Sequence, residues 1–484
     1  MIAQRYGRPA AQVSLHQWGE VGAMTLSSAS PDSLPISISR MKCIYGLRLA
    51  GQVPGLMRDP LDHLAKVVDE SDEMVLFQLG MYMTYLLNSP EQISRVLHEN
   101  PEGYDRSTFL TELLPLIGNG LFSSKDDTWV KQRQMLKSAF MPEGDEALAA
   151  VVHSELGDAI DKLKGRSQSG KIDLEPDLKK LCLNILHRSM FSPDAPLDED
   201  AVIDSLDVVL QHASIRGQMI RFARAPWKRL GITQSDLPAG VAAALKEINV
   251  FIYDLIDGCI SGTYASGRIL NLLTSGIHRG EIDRQQARDD IATFLFAGFD
   301  TIAEMVTWSL HLLAVNPTIQ DRLRQEIDGQ DVMTSDWNVL PAPEGDLLQN
   351  VLFETLRLYP PAWAMYRRPK EDDIIGREQV GKGTCVMISP YTLHRNSTLW
   401  KNPDVFDPDR YKNRPETASY IPFGFGRHTC IGRRSAVLQG RLILAELVRT
   451  FKISVDHSAT PKLNPGIIIQ SAKKLRFRLS LIKN

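Results

Sequence analysis

Residues 423 to 432 read FGFGRHTCIG, which places Cys430 among Gly424, Gly426 and Gly432. Glycine permits positive φ and lets the backbone approach another body closely. A thiolate that ligates iron needs such a setting: backbone N–H groups aimed at the sulfur, and room for a flat macrocycle beside it. Those contacts, together with burial, tune the metal's potential. Phe423 is placed to shield the loop, and His428 to donate to a carboxylate. The competing reading is a glycine-rich turn before a helix, holding a buried and inert cysteine. The other four cysteines, Cys43, Cys182, Cys259 and Cys385, are widely spread with no CxxC pair, which speaks against zinc or dithiol chemistry. They are expected to be small core residues.

Four further constellations carry chemical types in unusual settings. In LLQNVLFETLRLYP, residues 347 to 360, Glu354 and Arg357 stand at i and i+3 on one helix face. Alone, such a pair is an ordinary ion pair worth little. In QARDDIATFLFAGFDTIAEMVTWSLHLLAV, residues 286 to 315, Ala297 and Thr301 share a face one turn apart, with Gly298 between them and Asp300 close by. An acid and a hydroxyl in an apolar helix need a reason, because burying them unpaired costs roughly 1–3 kcal/mol. A kink with Thr301 bonded back to a carbonyl would be one such reason. Trp129 and Arg133 are spaced to share a helix face, and PPAWAMYR, residues 360 to 367, leads an apolar run into Arg367.

Taken in order, these five segments resemble the cytochrome P450 family, with matching motifs from residue 129 to 432 and weaker similarity from about residue 75 to the C-terminus. The one departure is small: position 302 is Ile, where a second Thr is frequent; His428 stands where Arg or His is usual. The resemblance implies a mainly α fold with a minor β part, a helix-rich triangular prism with small β-sheets. It implies haem b as cofactor, with Cys430 as the iron's thiolate ligand and Phe423, His428 and Gly432 around it. Trp129 and Arg133 would meet one haem propionate and Arg367 the other. Ala297 and Gly298 would flank the haem, Gly298 allowing close approach. Asp300 and Thr301 would relay protons to dioxygen. Glu354, Arg357 and Arg410, the last from FDPDRY, would form a buried structural network.

The elements that must position these groups are mostly helical. DDTWVKQRQMLKSAF opens with acids that favour a helix start. PEQISRVLHE, PTIQDRLRQEID and the 347–360 segment show helical apolar periods, the last two amphipathic, and Pro360 and Pro361 end the last. GTCVMISPY and LRFRLSLI are strand-like. Residues 1–40, rich in Ser, Ala, Gln and Pro, read as an irregular arm, and 41–484 as a single domain. At 484 residues the chain can bury a large cofactor. With 43% hydrophobic and 23% charged residues and a net charge of -3, it shows no basic excess and so no expected nucleic-acid partner. No uninterrupted apolar run of membrane-spanning length and no secretory leader is evident, so a soluble, cytoplasmic monomer is expected.

Pocket walls are expected near residues 105 to 122, 208 to 230, 290 to 301, 362 to 366 and 467 to 471. They include Leu113, Leu116, Phe122, Phe294, Phe296, Ala297, Trp363, Met365 and Ile468, a set suited to a largely apolar small molecule. The basic stretch Arg216, Arg221, Arg224, Lys228 and Arg229 reads as a solvated loop face, or as contact with an acidic substrate group or a carrier protein; a peripheral membrane contact through Pro226 and Trp227 is a weaker reading. The ligand loop lies about 50 residues from the end of the sequence. A separate ferredoxin or flavodoxin with its reductase is therefore expected, as the resemblance implies. Oxygenation of a secondary metabolite leads. Oxidative coupling or rearrangement on the same haem, and a haem-based sensor, stand behind it.

Overall fold

The computed structural model describes residues 42–482, leaving 45–52, 69–72, 80–81, 107–112, 168–169, 215–236, 329–331, 333–340, 342–344, 413–414, 416–417 and 456–460 outside the description. The N-terminal arm and the basic stretch from Arg216 to Arg229 fall among the residues not described.

The longer helices, in chain order, are α1 (Asp126–Lys137), α2 (Asp145–Arg166), α3 (Glu175–Leu186), α4 (Glu199–Ala213), α5 (Ala239–Ser261), α6 (Arg268–His278), α7 (Arg284–Gly298), α8 (Asp300–Val315), α9 (Pro317–Asp328), α10 (Leu347–Leu358) and α11 (Arg433–Thr450). The strongly apolar segment 286 to 315 is two helices, interrupted at Phe299, whose φ of -119 and ψ of -47 break the ladder between Gly298 and Asp300. By length and composition Arg284–Val315 could cross a membrane, but 83% of its apolar window is buried inside the protein. A helix that is apolar all round belongs at the centre of a fold. Accordingly α8 packs against α3, α10 and α11.

Helix α10 departs from the expected amphipathic pattern: every residue from Leu347 to Leu358 is buried. Its polar members find partners instead of water. Thr355 bonds the Val351 carbonyl at 2.8 Å and Ser309 at 3.0 Å. Its N-terminus is capped by Asp346, which accepts from Gln349 N at 2.7 Å. The same carboxylate receives both Nη atoms of the buried Arg441 at 2.7 Å, tying α10 to α11. The helix stops at Tyr359, in line with the two prolines that follow.

The β part is small. A six-stranded sheet runs β1-β2-β3-β9-β6-β4, from β1 (Lys42–Ile44), β2 (Met74–Leu79), β3 (Tyr82–Leu87), β4 (Tyr104–Arg106), β6 (Met365–Pro369) and β9 (Cys385–Ile388). Strand β5 (Lys171–Asp173) joins β10 (Phe451–Ser454) and β13 (Arg476–Leu481) in a second sheet, while β7 (Asp373–Ile375) with β8 (Glu378–Val380) and β11 (Leu463–Pro465) with β12 (Ile469–Ser471) form two-stranded ribbons. In the large sheet β4 and β6 are antiparallel, with Arg106 opposite Arg367 and Asp105 opposite Arg368. Strand alternation therefore sends the two neighbouring arginines of β6 to different faces: Arg367 toward Arg106, Arg368 toward an acid.

Candidate active site

The segment before α11 is built by turns. Gly424 N bonds the Ile421 carbonyl at 3.0 Å, Cys430 N bonds the Phe423 carbonyl at 2.9 Å, and the Thr429 hydroxyl donates to Gly426 O at 2.7 Å. Gly424 (φ 75) and Gly426 (φ 68) need the left-handed region, and a Cβ on Gly426 would run into the Leu97 carbonyl. Gly432 does not need it: with φ -84 it caps α11 and turns its N–H toward Cys430. Cys430 stands at this N-terminus. Its side chain is exposed, yet protein surrounds it closely enough that burial raises its pKa; the surface it presents therefore faces an interior cleft. The N–H groups of Gly432 and Arg433 and the charges of Arg133 and Arg433 oppose that rise. A helix N-terminus adds partial positive charge in the same place. Burial still outweighs them, so the Cys430 thiol stays above its usual range, but among the described cysteines it alone has backbone N–H groups at its sulfur. Burial also pushes Cys385 up to about 11 and Cys182 still higher.

Above the loop lies a group of cations. The Trp129 ring sits 4.4 Å from that of His428, with the guanidinium carbons of Arg427, Arg106 and Arg133 at 5.3, 5.8 and 5.9 Å from its centroid. Burial, then Arg106, Arg367, Arg427 and Arg133, push His428 down to about 3, so its ring is neutral and has an N–H to donate. Arg427 is paired with Glu102. Arg106, Arg133 and Arg367 have no carboxylate within salt-bridge distance among the described residues. Burial and the neighbouring Arg367 and Arg133 push Arg106 down to about 9; burial pushes Arg367 down to about 10. Like charges directly opposite in a sheet are destabilising. A cross-strand Arg106–Arg367 pair, desolvated and without an acid, fits a site for an anionic group. Arg106 was not legible as a site residue in the sequence, because only the strand register brings it to Arg367.

The interruption between α7 and α8 is likewise open rather than packed. Along a helix pair otherwise buried from Ala287 to Leu313, Ala297 is exposed and Gly298 and Thr301 are partly so. The Thr301 hydroxyl donates to the Ala297 carbonyl at 2.9 Å across the break, the back-bonded kink expected from the residue types. Asp300 turns away from them. It is buried, and its Oδ1 lies 3.2 Å from Lys179 Nζ on α3. Burial raises it to about 6 against the pull of Lys179. Lys179 also reaches Glu175 at 3.4 Å and Asp207 at 3.8 Å, both partly exposed. The Gly298 position brings α7 close to α3: a Cβ there would sit 3.1 Å from Leu186.

The expected pocket residues separate. Phe122 and Phe296 face each other with ring centroids 5.4 Å apart. Phe294 lies on another side of α7, 5.6 Å from Phe140, which itself touches Gly432. Leu113 and Leu116 are buried in the core beneath α7. Met365 is half-buried beside Gly424 of the ligand loop. Trp363 is buried, and its indole N–H donates to Gly466 O at 3.2 Å, tying the segment before β6 to the β11–β12 hairpin on which Ile468 stands. It braces that hairpin.

Glu354 and Arg357 are fully buried and paired twice, at 2.8 and 2.9 Å. Arg410 Nε reaches Glu354 at 2.8 Å. The remaining Arg357 donors meet the carbonyls of His394 (2.7 Å), Pro403 (2.6 Å) and Val405 (3.2 Å). The network ties α10 to the segment that leads to the ligand loop, where His394 Nε2 accepts from Ile421 N at 2.9 Å.

With this geometry in hand, the comparisons are decisive: the profile of the cytochrome P450 family matches residues 45–477. The chain belongs to the cytochrome P450 family. It is 30% identical over 428 residues to the cyclooctatin synthase of Streptomyces melanosporofaciens, covering 84% of this chain and 88% of that protein. It is 29% identical to the cyclooctat-9-en-7-ol 5-monooxygenase of the same organism, over 84% and 87% of the two chains. It is 26% identical to the pentalenene oxygenase of Streptomyces avermitilis, over 89% and 97%. As a cytochrome P450 it is a haem b monooxygenase that uses dioxygen, an apolar substrate and electrons from redox partners. The residues present fit haem: one cysteine with amides at its sulfur, and half-buried arginines without a carboxylate partner among the described residues, suited to two carboxylates.

Proposed function

We propose that this cytochrome P450 oxygenates a largely apolar, cyclic-terpene-like small molecule of secondary metabolism, with Cys430 holding the haem iron. The observation that carries the reading is the Cys430 sulfur facing a cleft under the N–H groups of Gly432 and Arg433. Its bacterial relatives are named for cyclooctatin and pentalenene chemistry, and the aromatic contact of Phe122 with Phe296 supplies an apolar wall. When bound, haem supplies dioxygen activation, and the thiolate's electron donation favours O–O cleavage.

The chain's own residues do the rest. Arg106, Arg133, Arg367, His428 and Trp129 hold the haem carboxylates through charge and N–H donation. Thr301, on the cleft, presents its hydroxyl where protons are needed. Asp300, tied to Lys179, passes protons inward from Glu175 and Asp207, which reach solvent. Ala297 keeps the approach to the iron narrow, and Glu354, Arg357 and Arg410 hold the ligand loop's scaffold rigid. Electrons come from a separate ferredoxin or flavodoxin with its reductase, and the enzyme acts as a cytoplasmic monomer.

The carbon monoxide difference spectrum of the reduced protein tests the ligand. A thiolate-type Soret band is expected, and Cys430→Ala abolishes it; a variant that keeps the band removes Cys430 from the iron. Titration with cyclic terpenes and terpene alcohols, read as a low- to high-spin shift, tests the substrate class. A response to none of them, with other apolar molecules active, refutes that part.

A further inference from the structure

Arg106 belongs to two constructions at once. On one side its guanidinium stands across the β4–β6 pair from Arg367, near Arg133 and Trp129, with no acid within salt-bridge distance among the described residues. On the other side its Nη1 donates to two consecutive carbonyls fifteen and sixteen residues on: Leu121 O at 3.0 Å, and Phe122 O. Phe122 then places its ring against Phe296 of α7. The opposite edge of this turn is pinned by α7 itself. Asp289 accepts from Asn119 N at 2.8 Å and Asp290 from Leu121 N at 2.9 Å. Gly118 and Gly120 lie so close to Asp289 and Thr293 that a Cβ on either would collide with them. Residues 118–122 are thus clamped between two carboxylates of one helix and one arginine of the sheet.

We propose that Arg106 couples occupancy of the haem-carboxylate cradle to the position of the 121–122 segment, and so sets the Phe122 wall of the pocket when cofactor is bound. The inference rests on the haem reading above. Two desolvated guanidiniums opposite each other repel, and an anion between them offsets that repulsion. With the anion in place Arg106 stays where its Nη1 reaches the Leu121 and Phe122 carbonyls. Without it, the guanidinium swings toward water and the two carbonyls lose their charged donor. The carboxylate side of the clamp does not depend on the cofactor, so the loosening is local to residues 122–124 and spares 118–121, where Asp289 and Asp290 hold the Asn119 and Leu121 amides. Arg106 is a positioning residue: it acts on the pocket through the backbone it holds.

Amide hydrogen exchange across residues 118–124 reads the coupling directly, without turnover. The haem-free wild-type protein is expected to exchange at least about tenfold faster than holoprotein at 122–124, with 118–121 little changed. Wild type reconstituted with haem dimethyl ester, whose carboxylates are blocked, is expected to behave there like the haem-free form. Arg106→Gln should exchange fast with or without haem. Arg367→Gln should release haem more readily while keeping the holoprotein's slow exchange at 122–124. Should Arg106→Gln not take up haem, Arg106→Lys keeps the charge but not the geometry, and its holoprotein should still exchange faster than wild type. Slow exchange in holo Arg106→Gln or Arg106→Lys, or equal exchange in wild type with haem, haem ester or neither, overturns the coupling. A wild-type protein that shows no haem absorbance at all refutes instead the reading on which the inference rests.

Discussion

Thr301 and Asp300 adjoin in sequence but diverge in space, and that divergence assigns them separable effects. Thr301 is partly exposed and its hydroxyl donates to the Ala297 carbonyl; Asp300 is buried against Lys179. Thr301→Ala removes that hydroxyl and leaves the ion pair intact. It should raise the fraction of reducing equivalents lost as hydrogen peroxide at least severalfold, with substrate affinity by spin-state titration nearly unchanged. Coupling equal to wild type would take Thr301 out of the proton path. The sequence shows this acid and alcohol because polar residues in an apolar helix are conspicuous, and it shows Cys430 because its glycines are. It does not show Arg106 or Lys179. An arginine before a loop and a lysine on a helix are ordinary in one dimension, and become informative only when β4 meets β6 and α3 meets α8.

At the scale of elements, the buried network between α10 and the ligand-loop segment and the clamp on residues 118–122 make different demands. Glu354→Gln leaves the Arg357 guanidinium fully buried without its anion, a loss of about 3–5 kcal/mol for a buried pair. The measurement is a urea midpoint on holoprotein, and a change below about 1 kcal/mol would show that the carbonyls around Arg357 suffice alone. In the clamp, burial raises Asp290 from 3.8 to about 7. A carboxyl whose folded pKa is raised contributes stability that is complete below its unfolded value and is lost as pH climbs through the folded one. The window here runs from about 4 to about 7, with an effect of a few kcal/mol at most. Asp290→Asn cannot ionise, so its stability relative to wild type should rise between pH 5 and pH 8; a pH-independent difference would remove Asp290 from the linkage. The helices around these sites were legible from apolar period and prolines. The full burial of α10 and the exact place of the break, at Phe299, were not. The first depends on which neighbours cover a polar face, and the second falls at a phenylalanine, a residue with no intrinsic tendency to interrupt a helix.

At the scale of the whole molecule, the cofactor site divides the charge balance in two. A net charge of -3 would lead one to expect little self-repulsion. Yet Arg106, Arg133 and Arg367 converge with His428 and Trp129 in one interior cradle, with no carboxylate of the chain to offset them among the described residues. Haem binding therefore stabilises the fold by mass action and by compensating that cluster. The haem-free protein should melt well below the holoprotein, and its melting temperature should respond to anions in a way the holoprotein's does not. Inner charges are screened less than surface ones, so an ion that can enter and accept hydrogen bonds should act more strongly than ionic strength alone. Phosphate or sulfate is expected to raise the haem-free melting temperature more than sodium chloride at equal ionic strength, with the excess reduced in Arg106→Gln and Arg367→Gln. If haem carboxylates occupy the cradle as proposed, the phosphate excess should vanish in the holoprotein. Differential scanning fluorimetry of both forms across the two salts measures it, and an equal phosphate excess in holo and haem-free protein would place the anion's effect elsewhere on the molecule.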